Sequence, residues 1–276
     1  MGTDAGYAYI AGHAALIVCG GLGVPVLAQL GSFALYTGRA RQRWQLSTRI
    51  VLAVNALLWI FGALAFVFLE GDHLLSDRSD GESLLHAVFF AVTTRTAGFN
   101  SFDFAELRHT TTLITIMLMW IGASPLSTGG GIKTTTIALA GMQIYAILAG
   151  RERVELAYRT VAPASMRRAF AVVLLSIFAI FTGFFGVLFF ESANIVTDAA
   201  HAQGPSFLDY LFECVSAFGT AGLSRGVTAS LSDASQLIVC GLMLSGRIGM
   251  LTLLIALVPS VPQREYRYPE EAVVVG

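Results

Sequence analysis

The sequence predicts an all-α, polytopic membrane protein assembled from repeats of a helix, a short half-helix and a second helix. Three observations predict it. The chain of 276 residues is 55% hydrophobic and only 13% charged, with a mean hydropathy of +0.69, whereas a soluble domain carries about 25% charged residues. Uncharged runs at 8–35, 50–69, 169–190 and 235–259, the last interrupted only by Arg247, are each long enough to cross about 30 Å of hydrocarbon as a helix. Finally, the two halves of the chain follow the same plan.

The first run, Ala8 to Leu35, reads as one spanning helix. No positive n-region or cleavage site precedes it, so a removable signal is not expected. Glycine at position 6 argues against a myristoylation signal. Arg39, Arg41, Arg43 and Arg49 then stand without an acid, which assigns 38–49 to the cytoplasmic side. Ile50 to Leu69 is the second span, and Glu70 to Glu82, with five acids and one arginine, is exterior in composition. Glu82 to Arg95 is apolar and aromatic but has 14 residues, below the ~17 needed to cross, and reads as a re-entrant half-helix. Thr110 to Leu148 is too long for one ordinary span and is broken at 123–131 by Ala-Ser-Pro-Leu-Ser-Thr-Gly-Gly-Gly, which predicts a discontinuous helix.

The second half repeats this order. Arg151 to Arg168 holds five arginines against Glu152 and Glu155 and is assigned to the cytoplasm. Ala169 to Phe190 spans, Glu191 to Asp209 carries acids with no lysine or arginine, and Ser206 to Gly219 is a second 14-residue half-helix. Ser235 to Pro259 returns, leaving Arg264 and Arg267 inside. A multi-pass protein of the plasma membrane, in contact with lipid, is the expected localisation.

Several function classes are disfavoured. A net charge of -1 supplies no basic field for nucleic acid. Cys19, Cys214 and Cys240 lack metal-ligand or disulfide spacing, and His13, His73, His86, His109 and His201 are scattered. Gly-Gly-Gly-Ile-Lys-Thr at 129–134 lacks the adjacent Gly-Lys of a phosphate loop, and no nucleophile constellation or dinucleotide fingerprint is present. Neither an enzyme nor a cofactor in this chain is expected.

The chemistry is concentrated after each half-helix. Thr96-Ala97-Gly98-Phe99-Asn100 and Thr220-Ala221-Gly222-Leu223-Ser224 occupy the same place in the two repeats, with 124 residues between their glycines. A half-helix entering from outside aims the negative end of its dipole at the bilayer interior, where it favours a cation. Gly98 and Gly222 allow positive φ, so that consecutive carbonyls can replace an ion's water shell. These ten residues are the candidate ion-binding turns.

The strings Thr93-Thr94-Arg95-Thr96-Ala97-Gly98-Phe99-Asn100, Ser124-Pro125-Leu126-Ser127-Thr128-Gly129-Gly130-Gly131-Ile132-Lys133-Thr134-Thr135-Thr136, Phe218-Gly219-Thr220-Ala221-Gly222-Leu223-Ser224, Gly246-Arg247-Ile248-Gly249 and Tyr268-Pro269-Glu270-Glu271 resemble the TrkH/KtrB potassium-uptake family over essentially the whole chain. The resemblance implies four helix, pore-helix, helix repeats arranged pseudo-fourfold around one pore, each supplying a one-glycine filter turn. Only the third and fourth repeats are recognisable in full. Residues 1–37 correspond to the inner helix of an incomplete second repeat, carrying Gly20-Gly21-Leu22-Gly23-Val24-Pro25. Residues 38–167 correspond to the third repeat with its interrupted inner helix, and 168–276 to the fourth repeat with a cytoplasmic tail.

The resemblance further implies that potassium is the substrate, bound at the two turns, and that 123–136 is an intramembrane gate. Leu126 stands where the family usually has glycine, and Gly129 where it usually has alanine. Gly129, Gly130, Gly131, Lys133 and Arg247 are the candidate gate residues. The implied partners are an N-terminal pore half from the same or a neighbouring gene, a second complete subunit in a homodimer, and a cytoplasmic ring of RCK-type nucleotide-binding subunits of the TrkA/KtrA kind.

Arg247 falls at the midpoint of its expected span, where an arginine must face water or a partner. The resemblance implies that it is a barrier beside the ion path, with a static ion pair between helices as the alternative; Lys133 invites the same two readings. Arg95 is expected to brace its turn, because a cation facing the pore repels the permeant charge. Glu213 is expected to form an ion pair within the scaffold, with tuning of ion attraction as the alternative. Two further readings stay open: a secondary transporter with broken helices, and a non-conducting fragment of a split or truncated gene.

Overall fold

The computed structural model describes residues 3–35, 45–76, 78–151, 154–156, 159–199, 205–249, 252 and 255. Nine α-helices lie among them: α1 (Thr3–Leu22), α2 (Val24–Leu35), α3 (Leu46–Glu70), α4 (Asp80–Thr93), α5 (His109–Trp120), α6 (Thr134–Leu148), α7 (Pro163–Ala199), α8 (Phe207–Gly219) and α9 (Asp233–Ile248). A two-residue antiparallel ladder, β1 (Glu155–Leu156) with β2 (Arg159–Thr160), links α6 to α7. The expectations on Arg39, Arg41, Arg43, Arg264, Arg267 and 268–271 concern positions outside the described residues.

Each half contains a long apolar helix, a short one and a return. Leu46–Glu70 and Pro163–Ser192 are long and apolar enough to cross a membrane. The two half-helices, α4 and α8, have 14 and 13 residues. Both begin at a serine whose N3 partner is an acid. Ser79 N–H donates to Glu82 Oε2 at 3.1 Å, and Ser206 N–H donates to Asp209 Oδ2 at 2.7 Å. These boxes satisfy backbone donors left open at a helix start and place negative charge at the positive end of the dipole.

Two expected spans are not continuous. The run from Ala8 to Leu35 is bent by 102° between α1 and α2, where Gly23 has φ +85°. The cause is tertiary, because the helix break of the other segment nests in this bend. Ser124 N–H donates to Gly21 O at 3.1 Å, Thr128 N–H to Gly20 O at 3.4 Å and Val24 N–H to Leu126 O at 3.3 Å. Backbone freed at the bend is thus paired, the condition for a break at membrane depth. The run from Ser235 is likewise interrupted: α9 ends at Ile248, and Gly249 has φ +91° with its N–H on Ser245 O at 3.0 Å. Arg247 therefore lies in the last turn of α9, next to this break.

The core joins the two halves through aromatic rings. Phe66 of α3 stacks on Phe90 of α4 at 4.4 Å, Phe102 lies on Phe66 at 5.0 Å and on Phe104 at 4.9 Å, and Phe104 reaches Phe212 of α8 at 6.3 Å. Phe66, Phe90, Phe104 and Phe212 are fully buried. Small residues let the long helices approach their neighbours. A Cβ on Gly62 would fall 3.0 Å from Ala91 Cβ, and one on Gly183 2.7 Å from Leu242.

Each of the two apolar spans also carries at its far end a buried carboxylate that starts the returning helix. Glu70 Oε1 accepts from Arg108 N–H at 3.0 Å and from the Thr111 hydroxyl, and Arg108 is the N-cap of α5. Glu191 Oε1 accepts from Ser232 N–H at 2.8 Å and Ser232 Oγ at 2.7 Å, and Ser232 is the N-cap of α9. Carboxylates this deeply buried require such donors.

Candidate functional site

The two candidate turns share one backbone conformation. Thr96 and Gly98 have φ +71° and +74°, and Thr220 and Gly222 have φ +51° and +77°. Positive φ was expected at the glycines; its recurrence at two β-branched threonines was not, and such residues are outliers of the kind held at functional sites. In each repeat a hydroxyl on the half-helix holds the fourth residue of the turn. Thr93 Oγ1 donates to Phe99 O at 2.7 Å and accepts from Phe99 N–H at 3.1 Å, while Ser216 Oγ donates to Leu223 O at 2.6 Å.

The turns meet each other. A Cβ on Gly98 would lie 3.0 Å from Ala221 O and 3.2 Å from the Gly222 Cα. Among the described residues, the carbonyls of 96–98 and 220–222 accept no hydrogen bond from the protein. Six unpaired carbonyls are costly at membrane depth unless something else coordinates them.

On the α8–α9 side a cavity of about 510 Å³ is lined by Glu213, Ser224, Thr228, Thr220, Gly222, Leu223, Met243 and Arg247. On the other side, Phe99 and Asn100 border a cavity of about 300 Å³ with Tyr9 and His13 of α1. Below the turns a third, of about 190 Å³, is lined by Gly131, Lys133, Gly246 and Arg247.

The break between α5 and α6 sits directly against both turns. Ile121 and Ile132 form an isolated parallel bridge that closes the loop at its base. Within it, Gly130 N–H donates to Thr220 Oγ1 at 2.9 Å, and Gly131 N–H donates to Gly246 O at 3.2 Å. A Cβ on Gly129 would collide with Thr96 Oγ1, and one on Gly130 would lie 2.5 Å from Thr220 Oγ1. Leu126, at φ +56° and exposed, occupies a left-handed position that a glycine takes without strain.

Three cations hold carbonyls of this loop. Arg95 Nη2 donates to Gly122 O at 2.8 Å, Lys133 Nζ to Gly129 O at 2.5 Å, and Arg247 Nη1 to Thr128 O. Arg95 is buried, and its Nη1 donates to Asn55 Oδ1. Asn55 Nδ2 in turn donates to Ser124 Oγ at 3.1 Å and Val51 O. Arg95 thus lies away from the turn's open face and ties the half-helix end to the break. Among the described residues, Arg247 engages the Thr128 carbonyl and no acid.

Glu213 departs from expectation. It makes no ion pair among the described residues. Instead it accepts from the Ser224 hydroxyl, from Arg225 N–H at 3.1 Å and from Thr228 Oγ1 at 2.8 Å. Neutral donors already surround it at the end of the turn. The ion pair forms one turn earlier, where Arg225 Nε lies 2.5 Å from Asp209 Oδ1. Burial opposes ionisation of Asp209, but Arg225 and Ser206 outweigh it and hold the carboxyl below its ordinary range. Arg225 also donates to Phe104 O at 2.6 Å and Thr112 Oγ1 at 3.0 Å, joining the two repeats. Asn55 and Arg225 were not singled out from the sequence; a lone asparagine in an apolar span was the available signal for the first.

Residues 41–267 match the family described as TrkH, cation transport protein. The chain belongs to this family. Its similarity to other TrkH-family proteins extends over most of its length. Ktr system potassium uptake protein D of Bacillus subtilis (strain 168) is 33% identical over 261 residues, covering 95% of this chain and 55% of that protein. Potassium/sodium uptake protein NtpJ of Enterococcus hirae is 32% identical over 266 residues, covering 95% and 56%. The crystal structure of the potassium transporter TrkH from Vibrio parahaemolyticus superposes with a TM-score of 0.69 at 18% identity, over 92% of this chain and 52% of that one, and shows a shared fold. The chain spans about half the length of the curated relatives it matches. It is a membrane protein of TrkH-like, mostly helical architecture.

Proposed function

We propose that this chain supplies two filter turns and the gate of a pore for the uptake of potassium or a similar monovalent cation. The observation that carries the reading is the pair of abutting turns with matched positive φ and six carbonyls that, among the described residues, have no protein donor. Such carbonyls replace a cation's hydration shell without any carboxylate. Their number fits half a ring, and two further turns, from another segment of the polypeptide or from a partner, complete it. The loop at 123–136 closes the path beneath the turns, with Arg247 and Lys133 placing positive charge against a permeant cation. In this orientation the basic segments are cytoplasmic and the turns face outside.

Relatives named as parts of a Ktr system favour a multi-component transporter. A homodimer with an RCK-type nucleotide-binding ring on the cytoplasmic side is the assembly this reading adopts. The bent α1–α2 pair and the broken α5–α6 pair also suit a secondary transporter that exposes a midplane site alternately. The two repeats enter from the same side, which favours a pore.

The test is rubidium uptake by a potassium-uptake-deficient cell expressing the complete transporter. Saturable uptake, displaced by potassium, is expected. A membrane-inserted protein that supports none overturns the reading. The same measurement on this chain alone separates a self-sufficient pore half from a fragment that conducts only with its partner.

A further inference from the structure

Tyr7 and His13 fix the depth of α1 against α4. The Tyr7 hydroxyl donates to Glu82 in the first turn of α4, and six residues further on His13 lines the cavity of about 300 Å³ with Phe89, Phe99, Asn100 and Ser101. α1 therefore runs beside α4 from its start to the outer end of the turn at 96–100, where the half-buried His13 arrives. The imidazole lies 5.5 Å from the Phe99 ring, edge to face, and 4.0 Å from the Tyr9 ring. Phe99 follows Gly98 directly, and Thr93 Oγ1 holds both its N–H and its carbonyl. The histidine thus stands against a fixed part of the turn.

Its surroundings let it gain a charge but not lose it to a partner. His13 Nδ1 is 2.8 Å from Tyr9 O. A carbonyl only accepts, so the neutral ring carries its proton on Nδ1 and leaves Nε2 open. A second proton at Nε2 adds a full charge without breaking that bond, a change that imidazoles make between about pH 5 and 8. None of the residues lining the cavity is a carboxylate. On α4, Glu82 is engaged by Tyr7 and by Ser79 N–H at 3.1 Å, and His86 lies between it and Phe89 in the chain. Arg95, beside Ile17 and Val18 deeper along α1, is tied to Asn55 and Gly122 O. The segment α2 has no titratable side chain, and the titratable residues of α3, Arg49 and Glu70, belong to its two ends.

We propose that His13 is a proton site that throttles cation entry: its imidazolium, formed beside Phe99, repels a monovalent cation approaching the carbonyls of 96–98. The inference rests on the pore reading above. Like charges at neighbouring sites oppose each other, and the opposition is reciprocal. Acid raises the half-saturating cation concentration, and a high cation concentration moves the inhibition to lower pH.

The test is rubidium uptake by the complete transporter in a potassium-uptake-deficient cell, followed as the external medium goes from about pH 8 to about pH 5.5. Uptake at low rubidium is expected to fall severalfold, and saturating rubidium is expected to restore most of it. His13→Gln keeps a donor for Tyr9 O but takes no charge. It is expected to match the parent at the alkaline end and to keep its uptake in acid, a gain that an unfolded protein does not show. His86→Gln is expected to retain the parental acid inhibition. Comparing parent and variant at each pH cancels the effect of acid on the cell itself. A His13→Gln protein with the parental acid inhibition, or an inhibition that disappears in His86→Gln instead, overturns the inference and leaves the pore reading intact. A parent without rubidium flux at any pH overturns the pore reading itself. The unmodified protein supplies a second measurement, independent of whether the variants fold. Its inhibition midpoint is expected to move to lower pH as rubidium is raised, and a midpoint indifferent to rubidium contradicts the proposal.

Discussion

Gly98 and Gly222 lie against each other, so that a Cβ on either would come within 3.2 Å of the other's Cα. The residues belong to different repeats, 124 positions apart, and both have positive φ. A side chain at either position is opposed twice, by its own backbone and by the facing turn. Left-handed backbone costs a non-glycine residue about 1–2 kcal/mol, which corresponds to roughly a five- to thirty-fold loss of the native arrangement. Gly98→Val and Gly222→Val are each expected to reduce rubidium uptake by at least that factor, or to abolish discrimination of potassium from sodium. Competition of the two ions for rubidium uptake measures both effects.

Arg247 anchors Thr128 from the end of α9 and lines the cavities on both sides of the break. A hydrogen bond from a charged group contributes about 1.5–3 kcal/mol. Arg247→Ala therefore shifts the seated loop toward release by roughly ten-fold or more, and resting rubidium efflux is expected to rise. Arg247→Lys retains charge but not the planar fork, and falls between the two.

Asn55 connects three elements by standing between Arg95, Ser124 and Val51. Replacing it by leucine strips a buried guanidinium of one acceptor, at a cost of about 1–3 kcal/mol. Asn55→Leu is expected to lower the melting temperature of the detergent-solubilised protein. Asn55→Asp keeps the acceptor and is expected to lie closer to the parent.

The Asp209–Arg225 pair predicts an acid-sensitive brace within the second half, holding the arginine that reaches Phe104 O and Thr112 Oγ1 of the first. The folded-state pKa of Asp209 is depressed. Its contribution to stability is therefore fully present above the unfolded-state carboxylate pKa and is lost as pH falls through the folded value. Melting temperature is expected to fall on acidification, and Arg225→Gln is expected to reduce that dependence while lowering stability at neutral pH.

The spans, the half-helices and the glycine turns were legible because they follow from local rules: apolar length, acidic starts and φ freedom. The bend at Gly23 was not, since the backbone around it, at Gly20, Gly21 and Val24, is paired with a loop a hundred residues away. Likewise α9 looks continuous in hydropathy and ends at Gly249 through a single positive φ. Arg95 was readable as a brace because a cation repels a cation. Its partner Asn55 was not, being one polar residue among many apolar ones. The threonine conformations were hidden for the opposite reason: local propensity argues against positive φ at a β-branched residue, and tertiary contacts overrule it.

The central claim is that the carbonyls of 96–98 and 220–222 dehydrate a monovalent cation. It is tested most directly by an anomalous-difference map of the complete transporter equilibrated with rubidium or thallium. The account predicts a peak on the axis between the two turns, within coordination distance of carbonyls from both, and its loss in Gly222→Val. Peaks confined to other parts of the protein, with none between Gly98 and Gly222 while the transporter still conducts rubidium, contradict it.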